Sequence, residues 1–488
     1  MNQNPTENLK KYLDLARKSK TFEFLNILIS EYPKASIYLV GGFVRDQILG
    51  LESKDLDFVV TKIKADDLKK FLGKYGSVEL VGASFGVFKF VPKESEFMNQ
   101  KMEAFDIALP RTEKSLGTGA YRDFDVQSDP ELPIDVDLSR RDLTINAIAY
   151  DIKNDSIVDP YFGQKDLANK IIKAVGEPKQ RFQEDYSRIL RAIRFALKFN
   201  FQIEDNTWQA IKDDAPKILD AVPFETISKE LLKSLDANPV RFLDLYDQSK
   251  LLNIILPEVE ECKGVIQPKE FHEEGDVYEH TKLALTFIPK NSTVRFKLAT
   301  LLHDIGKPST TKTPEKDGVE RVRSDEHAEV GAEITGYICN RLKLPNNLSN
   351  EIVWLVKYHM FFVSGKVEDM RPNTIKKYFI DNPKLGDELL DLYYVDTKAS
   401  FGPTQEKNLA RITEVRDYIN NMREQFRKSE IKTFRHVIDG QDIMKEFNLK
   451  PGKEIGEYLE KADKFILEFV TKNGEEPSKE EVLKSLKS

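Results

Sequence analysis

The chain has 488 residues, with 74 Lys and Arg against 81 Asp and Glu and a formal net charge of −7. That length holds roughly three or four domains of ordinary size, and the acidic balance excludes a global basic footprint, so nucleic-acid binding must rest on local patches. The two cysteines, Cys262 and Cys339, exclude a disulfide framework and suit a reducing cytosol.

Residues 1–20 are polar, without an apolar leader, and read as an N-terminal extension. No run approaches the roughly 18 apolar residues of a membrane span, so a cytoplasmic protein without membrane association is expected. Ile37 to Val40 reads as a buried strand ending on Gly41-Gly42, where missing Cβ atoms let the backbone approach a phosphate. A helix after this turn would aim its free N–H groups at the same anion. Arg45 and Asp46 follow, and then Asp55-Leu56-Asp57 at strand spacing. Side chains alternate along a strand, so both carboxylates face one site while Leu56, Phe58 and Val60 enter an apolar layer. Two divalent cations about 3.5–4 Å apart on such oxygens can clamp the attacking and leaving oxygens of an in-line phosphoryl or nucleotidyl transfer. Either half alone is more simply a tight turn or a solvated acidic pair; together they read as a triphosphate and metal cradle.

Short β-like runs come next at Val78–Val81, Phe85–Val91 and Ala104–Leu109, with Pro92–Met102 and Ser115–Pro133 as loops. After Gln164 the pattern is helical nearly to the end. Arg140-Arg141-Asp142 precedes that change, with Asn146-Ala147 close behind. Between Glu184 and Leu197, residues Ile189, Leu190, Ile193, Ala196 and Leu197 form an apolar helical stripe. Asp185, Arg188 and Arg191 share the polar face beside it at i, i+3 steps. A carboxylate next to a guanidinium offers an acceptor and a donor fork, matching the exocyclic amine and adjacent ring nitrogen of cytosine or adenine. The alternative is a surface ion-pair ladder worth a few tenths of a kcal/mol.

Four of the six histidines fall in one order: His280, His303-Asp304, His327 and His359, with Asp396 beyond them. Imidazoles and carboxylates on neighbouring helices are competent ligands for Mn, Fe, Ni, Co or Mg in a bundle core. The apolar Leu298–Leu302 before His303, and Gly306-Lys307 after Asp304, favour a buried cluster. His272 and His436 lie outside this pattern and read as structural or surface residues. Joints are expected at Pro257–Pro268 and at Gly402-Pro403. In the tail, Ile438–Met444 and Leu449–Gly456 surround a Pro-Gly turn that enters a helix; it reads either as a phosphate contact or as a helix–turn–helix packing unit.

Gly41-Gly42-x-Val44-Arg45-Asp46, Asp55-x-Asp57, Arg140-Arg141-Asp142 with Asn146-Ala147, and Glu184-Asp185-x-x-Arg188 together resemble the class II tRNA nucleotidyltransferases and the related bacterial poly(A) polymerases. The resemblance implies an α/β nucleotidyltransferase-fold head with a small mixed sheet (21–164) and an all-α neck (165–260). It implies magnesium on Asp55 and Asp57, with Asp106 as a third catalytic carboxylate. Gly41, Gly42 and Arg45 would lie at the phosphates, and Arg141, Asp142 and Asn146 at the ribose and phosphates. Asp185 and Arg188 would select the base, and Arg191 and Arg194 would line the pocket. The segment from Pro110 through Arg122 takes the place of the family's flexible catalytic loop, with Arg111 and Glu113 read either as helpers or as part of a disordered polar loop. One departure stands in the neck, where Thr226-Ile227-Ser228-Lys229-Glu230-Leu231 has threonine where the family has arginine.

The histidine pattern resembles the HD superfamily of metal-dependent phosphohydrolases, which implies a helical HD domain (261–400) with a two-metal site on His280, His303, Asp304, His327, His359 and Asp396. In related fused nucleotidyltransferases this module is associated with phosphatase and 2′,3′-cyclic phosphodiesterase activity. The helical tail (401–488) looks like the segment that contacts tRNA in many CCA-adding enzymes. The implied reaction is template-independent addition of C-C-A to the 3′ end of tRNA from CTP and ATP. A poly(A) polymerase, or an enzyme adding only CC or A, shares the head and neck motifs. Outside nucleotidyl transfer stands an HD hydrolase or nucleotide sensor with a binding-only head, against which Asp55, Asp57, Arg141 and Asp185 weigh.

Overall fold

The computed structural model describes residues 5–53, 55–81, 86–97, 100–101, 104–120, 123–362, 372–429, 437–473 and 475–487. His436, Phe85, Met102 and Arg122 lie outside them. Two compact units divide the chain between Ile255 and Leu256, short of the expected joint after residue 260.

Ahead of the neck, the described residues of the first unit form eleven strands: β1 (Ser36–Val40), β2 (Asp57–Thr61), β3 (Gly76–Val81), β4 (Val87–Pro92), β5 (Glu96–Phe97), β6 (Gln100–Lys101), β7 (Phe105–Ala108), β8 (Arg111–Ser115), β9 (Phe124–Ser128), β10 (Ala149–Asp151) and β11 (Ser156–Val158). Seven of them make the small mixed sheet, in the order β11-β10-β1-β2-β7-β4-β3. β2 and β7 run parallel, and the other neighbours are antiparallel. The register aligns Asp57 with Asp106 and Asp106 with Lys89. Residues paired across a sheet share a face, so these three stand on one side of it. The other face is apolar: Phe58, Phe90 and Phe105 pack against Phe24 of the Glu23–Glu31 helix, with ring centroids 4.9 to 6.3 Å apart.

Three expectations change here. Pro5–Arg17 is a helix rather than an extension. Its Leu9, Leu13 and Ala16, at i, i+4, i+7 spacing, are buried, and Tyr12 meets Phe43 and Phe97 with centroids 4.9 and 5.4 Å apart. The two expected loops hold antiparallel pairs, β5 with β6 and β8 with β9. β8 and β9 alternate between half-buried and exposed positions without a buried face, so their backbone ladder leaves no hydrophobic period to read. The neck is also not wholly helical, since Ile171–Ile172 pairs in parallel with Gln202–Ile203.

In the neck, the expected stripe on the Ser187–Phe199 helix is buried throughout, and this helix packs on the Phe224–Ala237 helix. The second unit is a helical assembly that includes Val277–Thr286, Val294–Leu302, His327–Arg341, Asn346–Tyr358, Pro383–Ala399, Gln405–Ser429 and Lys453–Asn473. Thr311–Lys312 and Arg323–Ser324 form a short strand pair within it. Among the described residues, no helix is long and apolar enough to cross a membrane.

Leu13→Ala should destabilise the first unit by about 2–5 kcal/mol, the usual cost of truncating a buried leucine, whereas Leu15→Ala, at a residue 44% exposed, should be close to neutral. Thermal unfolding of the two variants checks this; equal midpoints would detach residues 5–17 from the head.

Candidate functional site

A cleft of about 540 Å³ in the first unit is lined by Gly41, Gly42, Arg45, Asp55, Asp57, Arg111, Glu113, Arg141, Asp142, Asn146, Asp185, Arg188, Arg191 and Arg194. Of the expected residues only Asp106 stays off its wall. It stands beside Asp57 in the neighbouring strand. Arg140, Phe195 and Lys198 also line the cleft, and no role was expected for the last two.

The acidic end is set by the sheet. Asp57 opens β2 and Asp55 precedes the strand. Burial pushes the Asp57 carboxyl up to about 6, with the charge of Asp55 next in effect, Arg141 opposing and Asp106 adding to the rise. Asp106 is raised as well, by burial and by Asp55 against the pull of Lys89. Asp57 and Asp106, both raised and both acted on by Asp55, bring carboxylate oxygens, the donors that hard divalent cations take, to this end of the cleft. Gly41 has φ +73°, and a Cβ there would stand 2.7 Å from Nη1 of Arg141 and 3.9 Å from Oδ2 of Asp57. The left-handed backbone is what calls for glycine here, and the absent Cβ also leaves the Arg141 guanidinium in place.

Asp142 organises the middle of the cleft. Its Oδ2 accepts from Arg191 Nε at 2.7 Å, and its Oδ1 accepts from Asn146 Nδ2 at 2.9 Å and from the Leu143 N–H at 2.8 Å. Burial alone would raise this carboxyl, but Arg191 and Asn146 outweigh it and hold it well below the usual range. Asn146 in turn accepts from Arg45 Nη1 at 2.5 Å, while Arg45 Nε and Nη2 reach Asp46 at 2.8 and 2.7 Å. Arg45, expected at the phosphates, lines the cleft and is tied into its wall by these bonds. Arg141 is held more loosely, 3.5 Å from Asp137 and 3.3 Å from the Asn146 carbonyl. Its Nε is buried without a hydrogen-bond partner among the described residues.

Asp185 does not share a helical face with Arg188. It is extended, ahead of the Ser187–Phe199 helix, and accepts from the Ser187 N–H at 2.9 Å, and burial raises its carboxyl. The i, i+3 pattern fails because the helix begins only at Ser187, two residues after Asp185. Arg188 pairs with Glu184 at 2.7 Å, which also holds Arg181 at 2.7 Å, and donates to the Arg140 carbonyl at 3.1 Å. The two base-side candidates are thus fixed separately and both face the cleft. Arg194 pairs with Glu230 of the neck helix at 2.5 Å. Thr226 is half-buried in the same helix, so the neck braces the cleft through Glu230. Glu113 lies between Arg111 at 2.9 Å and Arg140 at 2.7 Å, which ties β8 to the cleft.

In the second unit all six expected ligands converge. His280 Nε2 lies 3.0 Å from Asp396 Oδ1 and 3.3 Å from His303 Nε2, and His327 Nε2 lies 3.2 Å from His359 Nε2. Asp304 stands between the pairs. Its Oδ2 is 3.3 Å from His303 and 3.7 Å from His280, and its Oδ1 is 3.5 Å from His327 and 3.7 Å from His359. The arrangement makes two ligand groups, His280/His303/Asp396 and Asp304/His327/His359. Nδ1 of His303, His327 and His359 meets the carbonyl of Thr300, Ser324 and Val356 at 2.8, 2.7 and 2.7 Å. A carbonyl only accepts, so Nδ1 carries a proton and Nε2 is turned toward the cluster, as metal-ligating imidazoles require. A Cβ on Gly306 would meet the His327 carbonyl at 2.2 Å, so glycine lets the His303-Asp304 turn touch the helix carrying His327.

Burial alone would lower His303, but Asp304 and Asp396 push it up to about 10. His359, buried and next to His327 and His303, is pushed down to about 3. Nitrogen and oxygen donors so close together, charged unevenly, fit transition-metal or other divalent ions. His272 is not peripheral. Its Nδ1 and that of His280 both lie 2.7 Å from Glu274 Oε1, and it lines the cleft of about 620 Å³ above the cluster. Neither Glu274 nor Lys307, whose Nζ reaches Asp304 at 2.7 Å, was given a role from sequence. The six-residue step from Glu274 to His280 was the available signal.

The chain matches the family model of the poly A polymerase head domain over residues 37–173, that of the probable RNA and SrmB- binding site of polymerase A over 200–263, and that of the HD domain over 282–422. It is 34% identical over 347 residues to the multifunctional CCA protein of Nitrosococcus oceani, covering 70% of this chain and 78% of that one. With the multifunctional CCA protein of Laribacter hongkongensis it shares 32% over 381 residues, covering 76% and 86%. Among solved structures it is similar to the Bacillus stearothermophilus CCA-adding enzyme in complex with CTP (TM-score 0.60, 20% identity, 99% and 97% of the two chains). It is also similar to the Thermotoga maritima CCA-adding enzyme complexed with tRNA (TM-score 0.56, 20% identity, 98% of each). At that identity the likeness concerns the fold.

The raised Asp57 carboxyl has a pH signature. Its contribution to stability is present below the ordinary carboxylate range and is lost as pH rises through about 6. Millimolar Mg²⁺ should therefore raise the unfolding temperature clearly near pH 7.5 and hardly at all near pH 5, and Asp57→Asn should flatten the difference. Equal Mg²⁺ shifts at both pH values would take Asp57 out of the cation site.

Proposed function

Since the chain belongs to the family of the multifunctional CCA proteins, we propose that its first unit adds C-C-A to the 3′ end of tRNA from CTP and ATP, and that its second unit hydrolyses phosphoesters at RNA 3′ ends. The observation that carries the first part is the single cleft that holds the acidic cluster and Asp185 and Arg188 on its walls. Asp55 and Asp57, with Asp106 beside them, would hold Mg²⁺, which supplies charge stabilisation for in-line attack on an α-phosphate. Gly41 leaves room for the triphosphate, and Arg141, with its unsatisfied Nε, donates to it. Asp142 keeps Arg191 in place at the nucleotide. Asp185 accepts from the exocyclic amine of cytosine or adenine, and Arg188 donates to the neighbouring ring nitrogen. The chain itself thus takes the place of a template.

In the second unit, divalent ions on His280, His303, Asp304, His327, His359 and Asp396 would supply Lewis-acid activation of a phosphoester. Asp304 faces both ligand groups, and Lys307 and the three main-chain carbonyls fix the orientation of the donors. Removal of a blocking phosphate or cyclic phosphate would prepare a 3′ end for the first unit. The ligand chemistry fits Mn, Fe, Ni, Co or Mg, and the protein works in the cytoplasm.

A tRNA lacking its end, incubated with CTP, ATP or both and resolved at single nucleotides, should gain three residues only with both. Long A-tracts without CTP use would replace this reading with a poly(A) polymerase. Asp55→Ala should abolish addition. Arg188→Ala should keep it while losing base discrimination by about 10- to 100-fold, the 1–3 kcal/mol of one donor pair. Asp304→Asn should abolish phosphoester hydrolysis and leave nucleotide addition intact; loss of both activities together would contradict two separate sites.

A further inference from the structure

The first turns of the Gln405–Ser429 helix form part of the second cleft's wall, with Lys407, Arg411 and Glu414 on one face at i, i+4 and i, i+7 spacing. The cluster side of the cleft determines where this helix starts. Glu274, whose Oε1 takes His280 and His272, accepts the Phe401 N–H on Oε2 at 2.8 Å, and the Glu273 N–H bonds the Phe401 carbonyl at 2.8 Å. A Cβ on Gly402 would stand 2.7 Å from the Glu270 carbonyl, so the turn lies flush on this segment. Gln405 Nε2 then donates to the Lys398 carbonyl at 3.0 Å. Burial raises the Tyr393 phenol on the cleft wall, with the charge of Arg411 opposing the rise and Asp396 adding to it.

The cleft therefore has two electrostatic stations. Ions on the histidine and carboxylate cluster would hold one phosphate, and Lys407 and Arg411 line the helix wall of the same cleft. A free phosphate or small ester needs only the first station. A chain of phosphodiesters can use both. We propose that Lys407 and Arg411 bind the phosphodiester next to the reacting one, making a polynucleotide 3′ end, rather than a small phosphate ester, the preferred substrate of this cleft. The proposal rests on the phosphohydrolase reading above.

The test compares full-length wild type with the Lys407→Gln, Arg411→Gln double variant, loaded with the same divalent metal. One substrate is a short RNA ending in a 2′,3′-cyclic phosphate, and the other is bis(p-nitrophenyl) phosphate. For the RNA, KM should rise roughly 10- to 100-fold with kcat retained, and the small ester should lose less than a tenth as much. Anisotropy of the same RNA, labelled, on metal-free protein should show the slope of log K against log salt shallower by about 0.7, the share of one single-strand phosphate. Equal losses on both substrates, or no loss on the RNA, overturn the assignment of Lys407 and Arg411. Wild type inactive on both substrates with every divalent metal tried overturns the phosphohydrolase reading, and the assignment with it.

Discussion

Burying a carboxylate among arginines is favourable only when each charge has a partner at hydrogen-bond distance, and in the nucleotide cleft Asp142 is where that condition is met. It binds Arg191, Asn146 and a main-chain N–H together, and through Asn146 it reaches Arg45, whose guanidinium also lies 4.9 and 5.0 Å from the ring centres of Phe195 and Phe199. The Gly42–Ile48 helix, the segment around residues 142–146 and the Ser187–Phe199 helix are joined through this one side chain. Removing it would take from the half-buried Arg191 the carboxylate that acts on it most strongly. The arginines around the cleft are for the most part already spoken for, by Asp46, Asp142, Glu184 and Glu230, and such prior pairing is what makes a recognition surface rigid.

The second unit inverts this arrangement. There the carboxylates and imidazoles lie closer to one another than to compensating cations, apart from Lys307 on Asp304. One cleft is preorganised by its own ion pairs; the other gathers donors whose mutual strain a cation relieves. The Asp57 end of the first cleft shares that second character on a smaller scale.

Much of this was legible in the chain. Asp55-x-Asp57, the buried stripe after Ser187 and the spaced histidines are local patterns with a strong period or an unusual residue type, and each lands where its pattern points. The β8–β9 ladder was not legible, because its strands bury no face and backbone hydrogen bonds leave no trace in residue order. Asp185, which lies just ahead of its helix, reads in the sequence as one more step of a helical face, since an i, i+3 offset does not reveal where a helix begins. The bond from Arg45 to Asn146, 101 residues away, leaves no local signature, and Glu230 and Glu274 act through another side chain. Pattern reading finds residues that face a site and misses those that hold them there.

The histidine cluster has one asymmetry with a longer reach. Three of its imidazoles take their tautomer from a carbonyl three residues upstream, and His280 alone takes it from a side chain, Glu274. A main-chain carbonyl is present whatever residue occupies the position, so substitutions at Thr300, Ser324 or Val356 leave those three imidazoles oriented. Glu274 has no such backup, and the same carboxylate also anchors the turn at Phe401. Genetic drift can therefore pass through most of the shell around this cluster unnoticed, and its vulnerability is concentrated in a single codon.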